Sequence, residues 1–261
     1  MKHTYLKAII LITLNGTALF AQIKYDFTEF KDETFEFVEQ PLKWDADDWL
    51  KLGLLSGATV VVALKADQPV RTLVLKNPGY LNSIPIQTGY YWGVGYPTAV
   101  LAAGFGLDGW LGNCTSSKKI AFEIVQATAY AELVKSIFTL SVGRARPFLN
   151  KGPGVFKPFT TSILDGDYQS FPGGHATAAF ALSTVLADNT SSIPLKILAY
   201  VPAGLTMVAR SYDDMHWTSD LVFGAAIGYF VASWVVDRHK PKKKSWVHIT
   251  SGYPPTLSVT F

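Results

Sequence analysis

Six apolar stretches of helical length, with few charges inside them, set the strongest limit on what this chain can fold into. They run over residues 49–64, 90–107, 120–142, 175–187, 195–208 and 221–236. Glycine and proline clusters such as Asn77-Pro78-Gly79 and Lys151-Gly152-Pro153-Gly154 separate some of them. With 261 residues, 49% hydrophobic and 16% charged, the chain has enough apolar surface for one large all-α domain. Several uncharged runs reach about 15 residues, at or below the length that spans a bilayer. Block 221–236 is the best span, and its Gly224, Ala225, Ala226 and Gly228 also suit tight helix packing. Either an integral membrane bundle of six helices or a soluble buried bundle fits this pattern. The scarcity of charge favours the membrane form.

The two ends read differently. Met1 to Lys7 is short and basic, residues 8–20 are apolar, and Ala21 supplies a small residue at the break. That describes a signal peptide over residues 1–21, too short to be preferred as an anchor, so the mature chain is expected to start outside the cytoplasm. Residues 22–44 form an acidic, aromatic segment, read as an amphipathic cover or a partly ordered arm. Residues 239–261 form a basic tail. The run Arg238-His239-Lys240-Pro241-Lys242-Lys243-Lys244 leading into it is either solvated or, beside a membrane, attracted to anionic lipid and able to fix topology with the tail inside. Partial alternation after Trp246 suggests a short strand. Cys114 is the single cysteine, so no intramolecular disulfide can form. A net charge of +3 and the lack of any nucleic-acid motif argue against a nucleic-acid partner.

Chemistry concentrates in three segments. In Arg210-Ser-Tyr-Asp-Asp-Met-His216-Trp-Thr-Ser-Asp220, helical spacing would let Asp220 hold one ring nitrogen of His216 while the other points outward. Arg210 adds a planar cation suited to phosphate oxygens. Ser170-Phe-Pro-Gly173-Gly174-His175 reads as a turn entering a helix near His175, where glycines admit a close ligand and helix N–H groups favour an anion. Gly143-Arg144-Ala-Arg146-Pro147 closes a long helical pattern. Each has a plain structural alternative: a helix hydrogen bond, an ordinary loop, a solvated helix end. Together they supply the inventory of phosphoryl transfer.

The order and spacing of these blocks resemble the type 2 phosphatidic acid phosphatase (PAP2) family, related to class A bacterial acid phosphatases and vanadium haloperoxidases. The family blocks are Lys-x6-Arg-Pro, Pro-Ser-Gly-His and Ser-Arg-x5-His-x3-Asp. Arg146-Pro147 match the first, Pro172, Gly174 and His175 the second, and Arg210, His216 and Asp220 the third. The resemblance covers roughly residues 45–238 and implies a helical bundle of about six core helices. It implies His216 as nucleophile, held by Asp220, and His175 as general acid. Arg146, Arg210 and the Gly173 and Gly174 N–H groups would bind phosphate, with no metal or cofactor.

The chain departs from the family at three phosphate-binding positions. Thr139 stands where the lysine belongs, and Gly173 and Ala209 replace the two serines. Lys135, one helical turn before Thr139, or Arg144 is expected to replace part of the missing charge; the alternative is that Lys135 snorkels at a surface. The resemblance implies a phosphatase of the bacterial cell envelope, in the membrane with its site facing the periplasm and a phosphorylated lipid as substrate. A soluble periplasmic acid phosphatase is the first alternative. A phosphate- or headgroup-binding protein with a decayed site is the second. A haloperoxidase fits least, because the lysine is missing.

Overall fold

The computed structural model describes residues 25–159 and 166–240, together with the backbone of two short strands at 247–250 and 256–259. The expected signal peptide over residues 1–21 lies outside the described residues. Ten α-helices form among them: α1 Phe27–Val38, α2 Gln40–Lys43, α3 Ala46–Lys65, α4 Asp67–Leu75, α5 Ile84–Gly93, α6 Tyr96–Leu111, α7 Thr115–Val142, α8 Gly174–Asp188, α9 Ile193–Tyr212 and α10 Thr218–His239. The all-α expectation holds for the bundle. Strands β1 Val247–Thr250 and β2 Thr256–Val259 pair antiparallel beyond it.

Local chemistry accounts for most helix ends. Asp26 and Asp45 cap α1 and α3, each side chain accepting backbone N–H bonds from the first turn. Pro85, Pro97 and Pro194 sit in the first turns of α5, α6 and α9, where a missing N–H costs little. Gly143 ends α7 in the left-handed region, at φ 58°, and its N–H reaches the Thr139 carbonyl at 3.0 Å. The apolar block 90–107 is not one helix. Gly95, at φ 86°, breaks it between α5 and α6. Block 49–64 similarly belongs to a longer α3 that turns by 49° into α4.

Helix α8 lies at the centre, against α7, α9 and α10. Ile124, Ala127 and Ala131 of α7 meet Ala181, Leu182 and Val185 of α8 and Phe223, Ile227, Val231 and Val235 of α10 in one core. Two glycines let α10 approach α8. A Cβ on Gly224 would lie 2.5 Å from the Gly173 carbonyl oxygen, and one on Gly228 would lie 2.3 Å from that of Thr177. The small residues of block 221–236 therefore serve packing, as expected. Helix α1 lays Phe37 flat on Tyr130 of α7, ring centroids 4.4 Å apart, and edge-on to Trp234 of α10.

The outer surface is strongly apolar. Leu54 and Leu64 on α3 are 65% and 75% exposed, and Ile193, Ile197 and Leu198 on α9 are also open. Helices α9 and α10 are long and apolar enough to cross a membrane, and the bent α3–α4 pair passes the same test as a broken span.

Candidate active site

The three sequence blocks meet at the N-terminal end of α8. Helix α7 delivers Lys135, the loop after it delivers Arg144 and Arg146, and the head of α8 delivers His175. The end of α9 brings Arg210, and the loop into α10 brings His216. The N–H groups of Gly174, His175 and Ala176 open α8 and have no carbonyl available within the helix. They form an anion-binding end facing this cationic group.

His216 is buried, and its Nδ1 lies 2.7 Å from the Ser170 carbonyl oxygen. A carbonyl only accepts, so Nδ1 carries the proton and Nε2 keeps its lone pair. The expected direct hold by Asp220 is corrected here. His216 stands in the loop before α10, not on the helix, so the i,i+4 relation does not apply. Asp220 instead accepts from Ser170 Oγ at 2.5 Å and the Trp217 N–H at 2.8 Å, and from Arg144 Nη1 at 2.5 Å. Its grip on His216 runs through Ser170, which offers its hydroxyl to Asp220 and its carbonyl to the imidazole.

Arg144 is 3% exposed and fully occupied. It donates to Asp67 at 2.7 Å, Ser219 Oγ at 2.7 Å, Asp220 and the Pro153 carbonyl. It therefore holds the frame and has no donor to offer a phosphate, against the expectation that it replaces lost charge. Lys135 is different. Its side chain lies over Gly174, where an added Cβ would meet Cε at 3.0 Å and Nζ at 3.3 Å. Thr139, at the family's lysine position, is buried and spends its hydroxyl on the Lys135 carbonyl at 3.0 Å.

Gly173 also needs correction as a phosphate donor, since its N–H is taken by the Asp220 carbonyl at 2.9 Å. A serine at this position would fit tightly. A Cβ there would stand 3.0 Å from Leu221 Cδ2 and 3.3 Å from the Asp220 carbonyl oxygen. Gly174 keeps its place at the head of α8.

Arg146 is anchored by Nε to the Gly166 carbonyl at 2.6 Å, with Nη1 at 3.4 Å from the Met215 carbonyl. Arg210 donates through Nη1 to Asp213 at 2.8 Å, while its buried Nε has no hydrogen-bond partner. These cations act on both imidazoles. Burial first, then Arg210, Arg146 and Lys135, push His175 down to about 4. Burial, with Arg146 next, holds His216 well below its usual range, although the Ser170 hydrogen bond works the other way. Asp213 and Asp214 are ion-paired to Arg210 and Arg71.

Residues 120–244 match the family model of the PAP2 superfamily. That stretch of the chain is similar to the PAP2 superfamily. Over 73 residues, which cover 26% of this chain, it is 34% identical to a lipid A 1-phosphatase of Porphyromonas gingivalis. That match spans 16% of the relative's length. The fold is similar to the crystal structure of a transmembrane PAP2-type phosphatidylglycerolphosphate phosphatase from Bacillus subtilis. The TM-score is 0.51 and the identity 15%, covering 74% of this chain and 96% of the other.

Four residues that shape this candidate site are not among the residues singled out by the sequence: Asp67, Arg71, Ser170 and Ser219. None has a motif of its own. Ser170 stands close to the glycine turn, but only the fold shows that both its hydroxyl and its carbonyl are used.

Proposed function

We propose that this chain is a phosphatase that hydrolyses a phosphomonoester or pyrophosphate carried by a lipid, through a phosphohistidine at His216. The observation that carries the reading is the pairing of two neutral imidazoles with Lys135, Arg146 and Arg210 around the free N–H groups of α8. Anionic substrate is drawn in by charge, and the nucleophile is unprotonated when it arrives.

In this scheme the Nε2 lone pair of His216 attacks phosphorus as the bond to the leaving oxygen breaks. The imidazole gains positive charge, which the Ser170 carbonyl accepts through Nδ1–H, with Asp220 behind it. Arg146, Arg210, Lys135 and the Gly174 and His175 N–H groups hold the phosphoryl oxygens. His175, which takes up a proton once the bound phosphate offsets the nearby cations, gives that proton to the leaving oxygen. It then takes a proton from the water that attacks phosphorus, breaking the P–N bond and releasing inorganic phosphate. The three side-chain cations supply the charge that a metal would otherwise bring.

Two observations favour a lipid carrier. The outer faces of α3, α6 and α9 are apolar and exposed. An apolar groove of about 530 Å³, lined by Trp92, Leu186, Leu198 and Leu205, runs beside α5, α8 and α9. The relatives' names make lipid A and phosphatidylglycerolphosphate the substrates to try first.

The test is phosphate release by the detergent-solubilised protein from these lipids and from a soluble aryl phosphate. His216→Ala should lower turnover by about 10³-fold or more. Faster turnover of the aryl ester than of either lipid would favour an acid phosphatase. Equal silence of wild type and variant on all substrates would favour a binding protein.

A further inference from the structure

We infer that Asp67 and Arg71 on α4 are positioning residues for the proposed nucleophile, an inference that rests on the phosphatase reading above. They stand one helical turn apart and face the same way. Asp67 is 1% exposed. Its two oxygens accept from the Ser219 N–H and hydroxyl at 2.8 Å each, and one also accepts from Arg144 at 2.7 Å. Arg71 makes a two-pronged pair with Asp214, Nε and Nη2 donating at 2.6 and 2.7 Å, and adds Asn150 Oδ1 at 2.8 Å.

These contacts bracket His216. Asp214 lies two residues before it and Ser219 three residues after it. Asp214 adopts a left-handed conformation, φ 53°, which aspartate tolerates better than most residues and which its surroundings hold in place. Arg71 and the Phe148 N–H, which donates to the Asp214 carbonyl at 3.1 Å, are those surroundings. Asp67 acts at the other side: it shares Arg144 with Asp220, and Asp220 fixes Ser170, whose carbonyl orients the imidazole. Both residues lie outside residues 120–244 and outside the three sequence blocks.

Neither group belongs to the set proposed to bind phosphate, so their loss should misplace the nucleophile while leaving substrate binding in place. In the full-length chain, Asp67→Asn and Arg71→Ala should each lower kcat by about 100-fold, with KM changed by less than about 3-fold. Arg71→Lys should restore only part, because an ammonium cannot reproduce the two-pronged pair. If Arg71 acts through Asp214, adding Arg71→Ala to Asp214→Ala should cost almost nothing further. Unchanged kcat per folded molecule, or a loss confined to KM, would overturn the inference.

Amide hydrogen exchange over residues 213–220 separates this outcome from failure of the phosphatase reading. Exchange at Trp217 and Asp220 should quicken in Asp67→Asn and Arg71→Ala even if wild type proves inactive, which would count against the proposed function alone. Unaltered exchange in both variants, with folding intact, would dismiss α4 as a positioning element whatever the activity.

Discussion

At the residue scale the charge state of His175 governs the proposed chemistry. Held down to about 4, it is neutral at pH 7 in the unliganded protein and cannot yet act as an acid. A bound phosphate places negative charge among Arg210, Arg146 and Lys135, offsets their effect and raises the imidazole's proton affinity. The alkaline limb should therefore lie at higher pH in kcat, which reports the complex, than in kcat/KM, which reports the free enzyme. Coincident limbs in a pH–rate profile would remove His175 as the acid. His175→Ala should cost about 10³-fold on a lipid phosphate but far less on an aryl phosphate, whose leaving oxygen departs without a proton. Lys135 carries a separate prediction. Its removal to Ala should lower kcat by about 10²-fold if the amine over Gly174 binds a phosphoryl oxygen. Wild-type turnover would return it to the role of a surface lysine. The residues themselves were legible from spacing, but their linkage was not. The interval between His216 and Asp220 suggested a helical pair, whereas α10 begins after His216 and Ser170 carries the connection.

At the element scale, α1 closes the far end of the bundle with a polar cluster. Glu33 of α1 faces His239 of α10 at 3.2 Å, receives Gln126 of α7 at 2.8 Å and Arg238 at 3.2 Å. Burial pushes the Glu33 carboxyl up, but the hydrogen bonds from His239, Gln126 and Arg238 outweigh it and hold it at about 2. A depressed carboxyl contributes stability above its ordinary value of 4.5, lost as pH falls toward 2. Glu33→Ala leaves buried partners unpaired and should destabilise the fold by about 3 kcal/mol. Thermal unfolding in detergent at pH 7 reads this, and the difference from wild type should shrink in acid; an equal gap at both pH values would place the effect in packing alone. The sequence marked residues 22–44 as acidic and aromatic but could not say what they cover. Phe37 on Tyr130 and Glu33 at His239 are contacts between segments distant in the chain. Helices α7 to α10 were readable from periodicity because each is a long apolar run. The α5–α6 break was hidden, since Gly95 sits inside an apolar stretch whose neighbours give no polar punctuation.

For the whole molecule, the two ends of α10 would set an orientation if that helix crosses a membrane. The helix has 22 residues, roughly 33 Å at 1.5 Å per residue, enough to span the apolar layer of a bilayer. Its first turn holds Asp220 at the proposed catalytic end, and its last turn opens the basic run from Arg238 to Lys244. Lysine and arginine beside a span are retained on the cytoplasmic side. If α10 crosses the membrane, the site must therefore open on the other face, where an extracytoplasmic lipid phosphate is met. Two outcomes are expected. The protein should stay with membranes through an alkaline carbonate wash and leave them only in detergent. A fluorescent protein fused after Phe261 should fold and fluoresce, as it does in the cytoplasm, while a reporter active only in the periplasm should be silent there. Release by carbonate would point to the soluble acid phosphatase, with the apolar outer faces of α3 and α9 covered by another protein. An active periplasmic reporter would invert α10 and turn the site toward the cytoplasm. Replacing Lys242, Lys243 and Lys244 by Ser then tests the cause, since an orientation fixed by these charges should become mixed while the intrinsic turnover of solubilised protein stays unchanged.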